Sequence, residues 1–260
     1  MTILDTITAY KLKEVNAKKK VLPQSLLEHF PFFDRVPISL AEALRNAPTG
    51  IIAEHKRRSP SKSVINDKVS IDEVAIGYEK AGISGMSVLT DTKFFGGSLD
   101  DLVLARAVTS FPLLRKEFIV DPYQIYEAKA YGADAILLIA ACLKQSELKD
   151  YSEIAKSIGL DVLLEVHNME ELEKSLLPSV DMLGVNNRNL KTFEVSTNIS
   201  KELSKHIPDE FVKVSESGIS SVETIKELKE YGFNGFLIGE NFMKTDNPGE
   251  SASDFLKQLQ

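Results

Sequence analysis

The sequence predicts an α/β fold, a TIM (β/α)8 barrel forming one domain over residues 1–260. An N-terminal helical extension (1–48) precedes the barrel proper (49–260). Three observations predict it. From residue 51 onward, eight short apolar runs alternate with segments of helical periodicity, the pattern of a parallel sheet joined by crossover helices. Eight such units favour closure over an open sheet, and no GxGxxG follows the first run. A length of 260 residues is ordinary for a barrel of roughly 250.

In chain order, residues 2–20 read as an amphipathic helix, with Ile3, Leu4, Ile7 and Tyr10 on one side and lysines gathering toward its end. A second helix, SLAEALRNA, has Ser39 placed to cap it and Glu42 three residues on to complete a capping box. This extension either packs against the barrel or covers one end of a site. The apolar runs then begin at residues 51, 85, 112, 134, 161, 182, 211 and 235. Between them lie helical segments such as VSIDEVAIGYEKAG, PYQIYEAKAYGA, QSELKDYSEIAKSIG and SVETIKELKEYG, many ended by glycine as helices prefer.

Composition narrows the partners. With 43% hydrophobic and 27% charged residues the chain is globular, and no apolar run approaches the roughly 20 residues that span a bilayer. Charges are interleaved through MTILDTITAYKLKEV, so no secretory h-region is expected and a cytoplasmic location is. A net charge of -7 argues against nucleic acid as a partner, and an anionic ligand would need a locally positive site. Cys142, the lone cysteine, is expected to be an inert packed thiol. His29, His55, His167 and His206 lack ligand spacing, so neither a metal nor another cofactor is expected.

The stretch IIAEHKRRSPS places an acid and a base at the exit of the first run. Glu54 and Lys56, two residues apart, project to the same face as Ile52, while His55 points oppositely and is expected to pack. Ser-Pro then breaks the strand. In barrels of this kind reactive groups collect at the C-terminal strand ends. The third run ends in Lys116, the fifth in Glu165, the sixth in Asn186, and the seventh in Glu216 and Ser217. Each alone has a plain explanation, a surface ion pair or a strand returning to water. Together they put two lysines, three glutamates and an amide in one mouth, where mixed charges in a partly dry cleft suit general acid and base work.

A second feature lies at the last two strands. Ser217-Gly218 and Gly239 allow close backbone approach with free N–H groups, the usual phosphate position in such barrels. Ser59 and Lys56 could add a hydroxyl and a charge, and the cluster Lys56, Arg57, Arg58 and Lys62 suits anion attraction. The alternative is that these glycines only turn the chain. Glu240, directly after Gly239, is expected to point away from a phosphate. Phe94 and Phe95, in a segment read as a flexible Gly-Gly loop, either close over a flat ligand or pack.

The motifs IIAEHKRRSPSK, SVLTDTKFFGGSLDDL, LLRKEFIVDPYQIYEAKAYGADAILLIAA, LLEVHNMEEL, LGVNNRNLKTFEV, VSESGIS and GFLIGENFM resemble, in order, those of indole-3-glycerol phosphate synthases. They cover nearly everything from residue 51 onward, and the N-terminal extension is similar too. The resemblance implies ring closure of 1-(2-carboxyphenylamino)-1-deoxyribulose 5-phosphate with loss of carbon dioxide and water. It implies Lys116 as general acid, Glu165 as base, and Lys56 as an aid to binding and dehydration. Glu54, Asn186, Glu216 and Ser217 match positions lining the reacting end; Ser59, Gly218 and Gly239 match phosphate contacts. A lysine of lowered pKa at position 116 is expected on chemical grounds. Departures from the family pattern are Glu117 for an aspartate, Phe94 for a tyrosine and His55 for an aliphatic residue, none of which removes a catalytic group. Two other readings compete. A phosphoribosylanthranilate isomerase resembles a cysteine and aspartate pair where this chain has Glu54 and Asn186. A barrel that only binds a phosphorylated ligand would have no need for so many desolvated charges.

Overall fold

The computed structural model describes residues 2–190 and 192–259. Each of the predicted apolar runs contains one strand: β1 (Ile51–His55), β2 (Gly85–Leu89), β3 (Leu113–Lys116), β4 (Ala135–Ile139), β5 (Asp161–Val166), β6 (Met182–Asn186), β7 (Val212–Glu216) and β8 (Gly235–Ile238). Every strand pairs in parallel with the next, and β8 returns to β1 with Ile51 opposite Phe236, so the sheet closes into a barrel. Alternation decides which residues point in. Ile52, Leu114, Leu137, Leu163, Val214 and Leu237 fill the interior, while Ala53, Met86, Val88 and Ile136 pack outward under the helices.

The extension contains α1 (Ile3–Val21), α2 (Gln24–Leu27) and α3 (Leu40–Asn46). Helix α3 plugs the N-terminal end of the barrel: Leu40, Ala41 and Leu44 join the interior cluster, and a Cβ on Gly85 would lie 2.6 Å from Leu40 Cδ1. Its cap is half the predicted box. Ser39 Oγ accepts from the Glu42 N–H at 3.1 Å, but the Glu42 carboxylate turns to Arg45 instead. Ser39 also donates to Asp161 at the start of β5, fixing the plug to the barrel. The complete capping box belongs to α1, between Thr2 and Asp5.

Helix α1 crosses the opposite, C-terminal end. Ile7 and Val15 are buried beneath it, and the fully buried Lys11 ammonium meets Asp91 at 3.0 Å, Glu14 at 3.2 Å and Glu117 at 3.3 Å. Asp91 follows β2 and Glu117 follows β3, so this ionic knot ties the helix to two strand ends. Glu117, the departure noted above, thus serves as an anchor for α1. The segment after β2 is not a loose glycine loop: Asp91 Oδ1 accepts from the Phe94 and Phe95 N–H groups and caps a helical turn, Thr92–Phe95. No helix among the described residues is long and apolar enough to cross a membrane.

Candidate active site

The C-terminal strand ends enclose a cavity of about 380 Å³ whose lining includes Glu54, Lys56, Lys116, Glu165, Asn186 and Glu216, with Ser59, Phe95, Ser217, Gly218 and Gly239 at its edges. Of the residues singled out from sequence, Arg57, Arg58 and Lys62 of the basic cluster stay outside, and so does Phe94. Its ring packs edge-on against Tyr10 of α1 at 5.9 Å, whereas Phe95 turns inward and leans on Phe118 at 5.8 Å. The roof is Ile3, Leu4 and Ile7, so the extension does cover the site as well as packing.

At β1, Lys56 Nζ lies 2.6 Å from Glu54 Oε1. This is not a surface pair, because Glu54 is 3% exposed. Burial works against the Glu54 charge, but Lys56 and Lys116 outweigh it and hold the carboxyl below its usual range. Across the barrel, Lys116 Nζ sits 2.5 Å from Glu216 Oε2 and 3.4 Å from Glu165 Oε2. Burial alone would depress this lysine. The carboxylates of Glu216, Glu165 and Glu54 together reverse that and raise it above the ordinary lysine value. The expectation of a lowered pKa therefore fails for the free site, because three acids converge on one ammonium.

The two acids flanking Lys116 are driven apart. Glu165 accepts from Asn186 Nδ2 at 3.1 Å and faces His167 Nε2 at 3.2 Å. Against the effect of burial, Lys116, His167 and Asn186 hold it well below the carboxylate range. Glu216 is raised to about 7, first by burial and then by the nearby Glu165 and Glu54 charges, with Lys116 opposing. Its Oε1 comes within 2.2 Å of where a Cβ on Gly184 would sit, so any side chain at that point of β6 would displace the carboxylate from this position.

The β7 and β8 ends form the edge expected to take a phosphate. Ser217 (φ 67°) and Gly218 (φ 74°) are both left-handed, a conformation costing a non-glycine residue roughly 1–2 kcal/mol. Asn187 Nδ2 holds it in place through the Ser217 carbonyl at 3.0 Å. Such strain clusters at ligand sites. Two expectations fail here. Glu240 lines the cavity and pairs with Lys62, so it does not point away. The basic cluster also disperses: Arg57 grips Asp101 at 2.6 Å and Arg58 donates to the Thr92 and Lys93 carbonyls, leaving Lys56 as its member lining the cavity.

Four contributors were missed from sequence. Arg188, two residues past Asn186, and Phe118, two past Lys116, continue the inward face of β6 and β3, and that period of two was the available signal. His167 stands in the same relation to Glu165, and Glu171 lies one helical turn further on. His55 behaves as expected, buried on the outward side with its imidazole depressed to about 4 by burial and Arg57. Cys142 is a free thiol pushed up to about 12 by burial, which keeps it unreactive. No group of metal-ligating side chains occurs among the described residues.

Fold and site together define a (β/α)8-barrel enzyme whose acid and base groups meet at the C-terminal strand ends, beside a glycine-lined edge. The family model for indole-3-glycerol phosphate synthase matches residues 4–255, and the chain belongs to that family, a family of carboxy-lyases in tryptophan biosynthesis. Proteins named indole-3-glycerol phosphate synthase from Bacteroides thetaiotaomicron and Caldanaerobacter subterraneus are 48% and 44% identical to it, covering 99% and 94% of both chains. Among solved structures, a thiamine phosphate pyrophosphorylase from Pyrococcus furiosus superposes with a TM-score of 0.60 at 16% identity, over 83% of this chain and 97% of that one. A tryptophan synthase complex chain from the same organism gives 0.58 at 18%, over 81% and 95%. Identities this low speak for the shared barrel alone.

Proposed function

We propose that the barrel mouth carries the family's reaction with its work divided among named side chains. The activity is ring closure of 1-(2-carboxyphenylamino)-1-deoxyribulose 5-phosphate to the indole, releasing one carbon dioxide and one water. The observation that carries the division of labour is Lys116 held between Glu165 and Glu216 at the cavity floor, with Lys56 on Glu54 opposite.

Ring closure begins with attack of the carboxylate-bearing aromatic carbon on the ketone. That carbon is a weak nucleophile, so the carbonyl oxygen must receive a proton as it gains charge. Lys116 is the donor. Its raised pKa does not disqualify it, since an alkoxide is far more basic than a ketone, and the shift keeps the lysine charged at working pH. Carbon dioxide then leaves with the ring cation as electron sink, and no protein nucleophile is needed. Dehydration follows: Glu165 takes the proton from the new five-membered ring while Lys56, aligned by Glu54 and also an aid to binding, gives a proton to the departing hydroxyl so that it leaves as water.

The phosphate is assigned to the edge formed by Ser59, Ser217, Gly218 and Gly239. The aromatic ring is assigned to the apolar side, where Phe95 and Phe118 lie under Ile3, Leu4 and Ile7. A cytoplasmic location belongs to the same reading, supported by a chain with one cysteine and no pairing for it. The test is direct: purified protein is mixed with the carboxyphenylamino-deoxyribulose phosphate and indole fluorescence is followed. Absence of signal at every substrate concentration would reject the assignment.

A further inference from the structure

His167 has no part in the division of labour just given, yet both of its ring nitrogens face carboxylates. Nδ1 lies 3.0 Å from Glu171 Oε2 and Nε2 lies 3.2 Å from Glu165 Oε1. The side chain is 11% exposed, and Nε2 has no aligned hydrogen-bond partner, so its contact with Glu165 is one of charge when the ring is protonated. Carboxylates only accept hydrogen bonds. A neutral imidazole carries one N–H, so one of the two acids would face a ring lone pair; only the doubly protonated ring satisfies both. Glu171 is itself fixed for this purpose, accepting from the His167 backbone N–H at 2.8 Å and from Asn168 Nδ2 at 2.8 Å.

Resting on the reaction proposed above, we infer that His167 is a positioning residue: a permanent imidazolium strung between Glu171 and Glu165 that aims the Glu165 carboxylate and keeps it ionised. The surrounding charges agree. Against burial, Glu165 and Glu171 raise His167 to about 10. Asp5 of α1 and Glu194 beyond β6 line the adjoining cavity with it, and Arg188 is the opposing charge there. Lys174 is engaged by the Ala140 and Leu143 carbonyls, and the Cys142 thiol stays neutral. Asn186 completes the hold on Glu165 from β6.

The bridge matters because Glu165 has two cations, and one of them is spent. Once Lys116 has delivered its proton it no longer holds the base ionised. His167, which touches no substrate atom in the proposed arrangement, remains charged through that step.

The experiment uses the full chain. Nitrogen-15 NMR of the imidazoles should find His167 with both nitrogens protonated at pH 8, and Glu171→Gln should bring its titration down toward neutrality. In His167→Asn, which keeps a donor but no charge, the acidic limb of kcat against pH should move up by one unit or more. Each unit is a tenfold loss on that limb, while KM at the plateau is retained. A merely structural histidine would alter stability and KM without moving the limb. A neutral imidazole at pH 8, or an unmoved limb in a folded His167→Asn, overturns the inference. If the unaltered chain shows a charged His167 but no turnover, the bridge stands and the reaction assigned to the site falls instead.

Discussion

Replacing Lys11 by methionine tests how the roof of the site is held. The lysine side chain is 1% exposed, and its ammonium is the cation shared by Asp91, Glu117 and Glu14. Methionine keeps most of the buried stem but takes from Asp91 its Lys11 counter-charge and leaves Glu117 with Arg115 at 3.8 Å in place of the closer ammonium. Breaking a buried pair in this way costs about 3–5 kcal/mol. The lower end is expected, since Glu117 keeps hydrogen bonds from Thr90 Oγ1 and the Phe118 N–H at 2.9 Å each, and Asp91 Oδ1 keeps its helix cap. For a domain of this size about 3 kcal/mol corresponds to a Tm lower by roughly 6–12 °C. The loss should shrink with acidity. Burial already raises Glu117, and removing Lys11 raises it further; a carboxyl with a raised folded pKa favours the folded state as pH falls toward and below that value. Urea unfolding followed by circular dichroism at pH 7 and pH 5 measures both effects. A loss below about 1 kcal/mol at pH 7, or an equal loss at both pH values, would refute the account of the knot, since surface substitutions stay within about 0.5 kcal/mol.

Lys116→Ala should cut kcat by 10²-fold to 10⁴-fold or more, with substrate binding held within about tenfold, by steady-state kinetics and a binding titration. Glu165→Gln should release carbon dioxide in a single turnover while indole forms far more slowly, so that a non-indole intermediate builds up; equal slowing of both signals after rapid mixing would make Glu165 an orienting partner instead. Ser59→Ala should raise KM for the phosphorylated substrate and spare kcat. Gly239→Ala should damage both, because its Cβ would lie 2.6 Å from Glu54 Oε1 and push that carboxylate off Lys56; a KM effect alone would show that Glu54 yields freely.

The barrel was legible because its signal is local and repeated: apolar runs broken by capped helices need no knowledge of distant contacts. Strand-end chemistry followed from it, since closing a parallel sheet brings Glu54, Lys116, Glu165 and Glu216 together whatever the loops do. What failed depended on rotation or reach. Phe94 and Phe95 are neighbours, and only the helical turn capped by Asp91 decides which one faces in. Arg57 looked like an anion ligand because its partner, Asp101, is 44 residues away in sequence. The Lys116 shift was misjudged in sign because desolvation can be read from an apolar context, whereas three converging carboxylates at specific distances cannot.

That shift also bears on the order of proton transfers. In the free site Lys116 is the largest favourable influence holding Glu165 ionised, and the same charge restrains Glu216 from rising further. A carboxylate pressed so low is a poor base, which is an advantage before condensation, when the site needs a charged acid and an unprotonated partner side by side. In the reaction proposed above, delivery of the Lys116 proton to the forming alkoxide would remove that influence at once. Glu165 then climbs toward its natural basicity, limited by His167 and Asn186, at the moment when a ring proton has to be taken. Glu216, already near 7, rises with it and can receive a proton without leaving the floor of the cavity. In that proposal acid first and base second follow from one shared charge, and the chain need not hold two independently tuned sites a few ångströms apart.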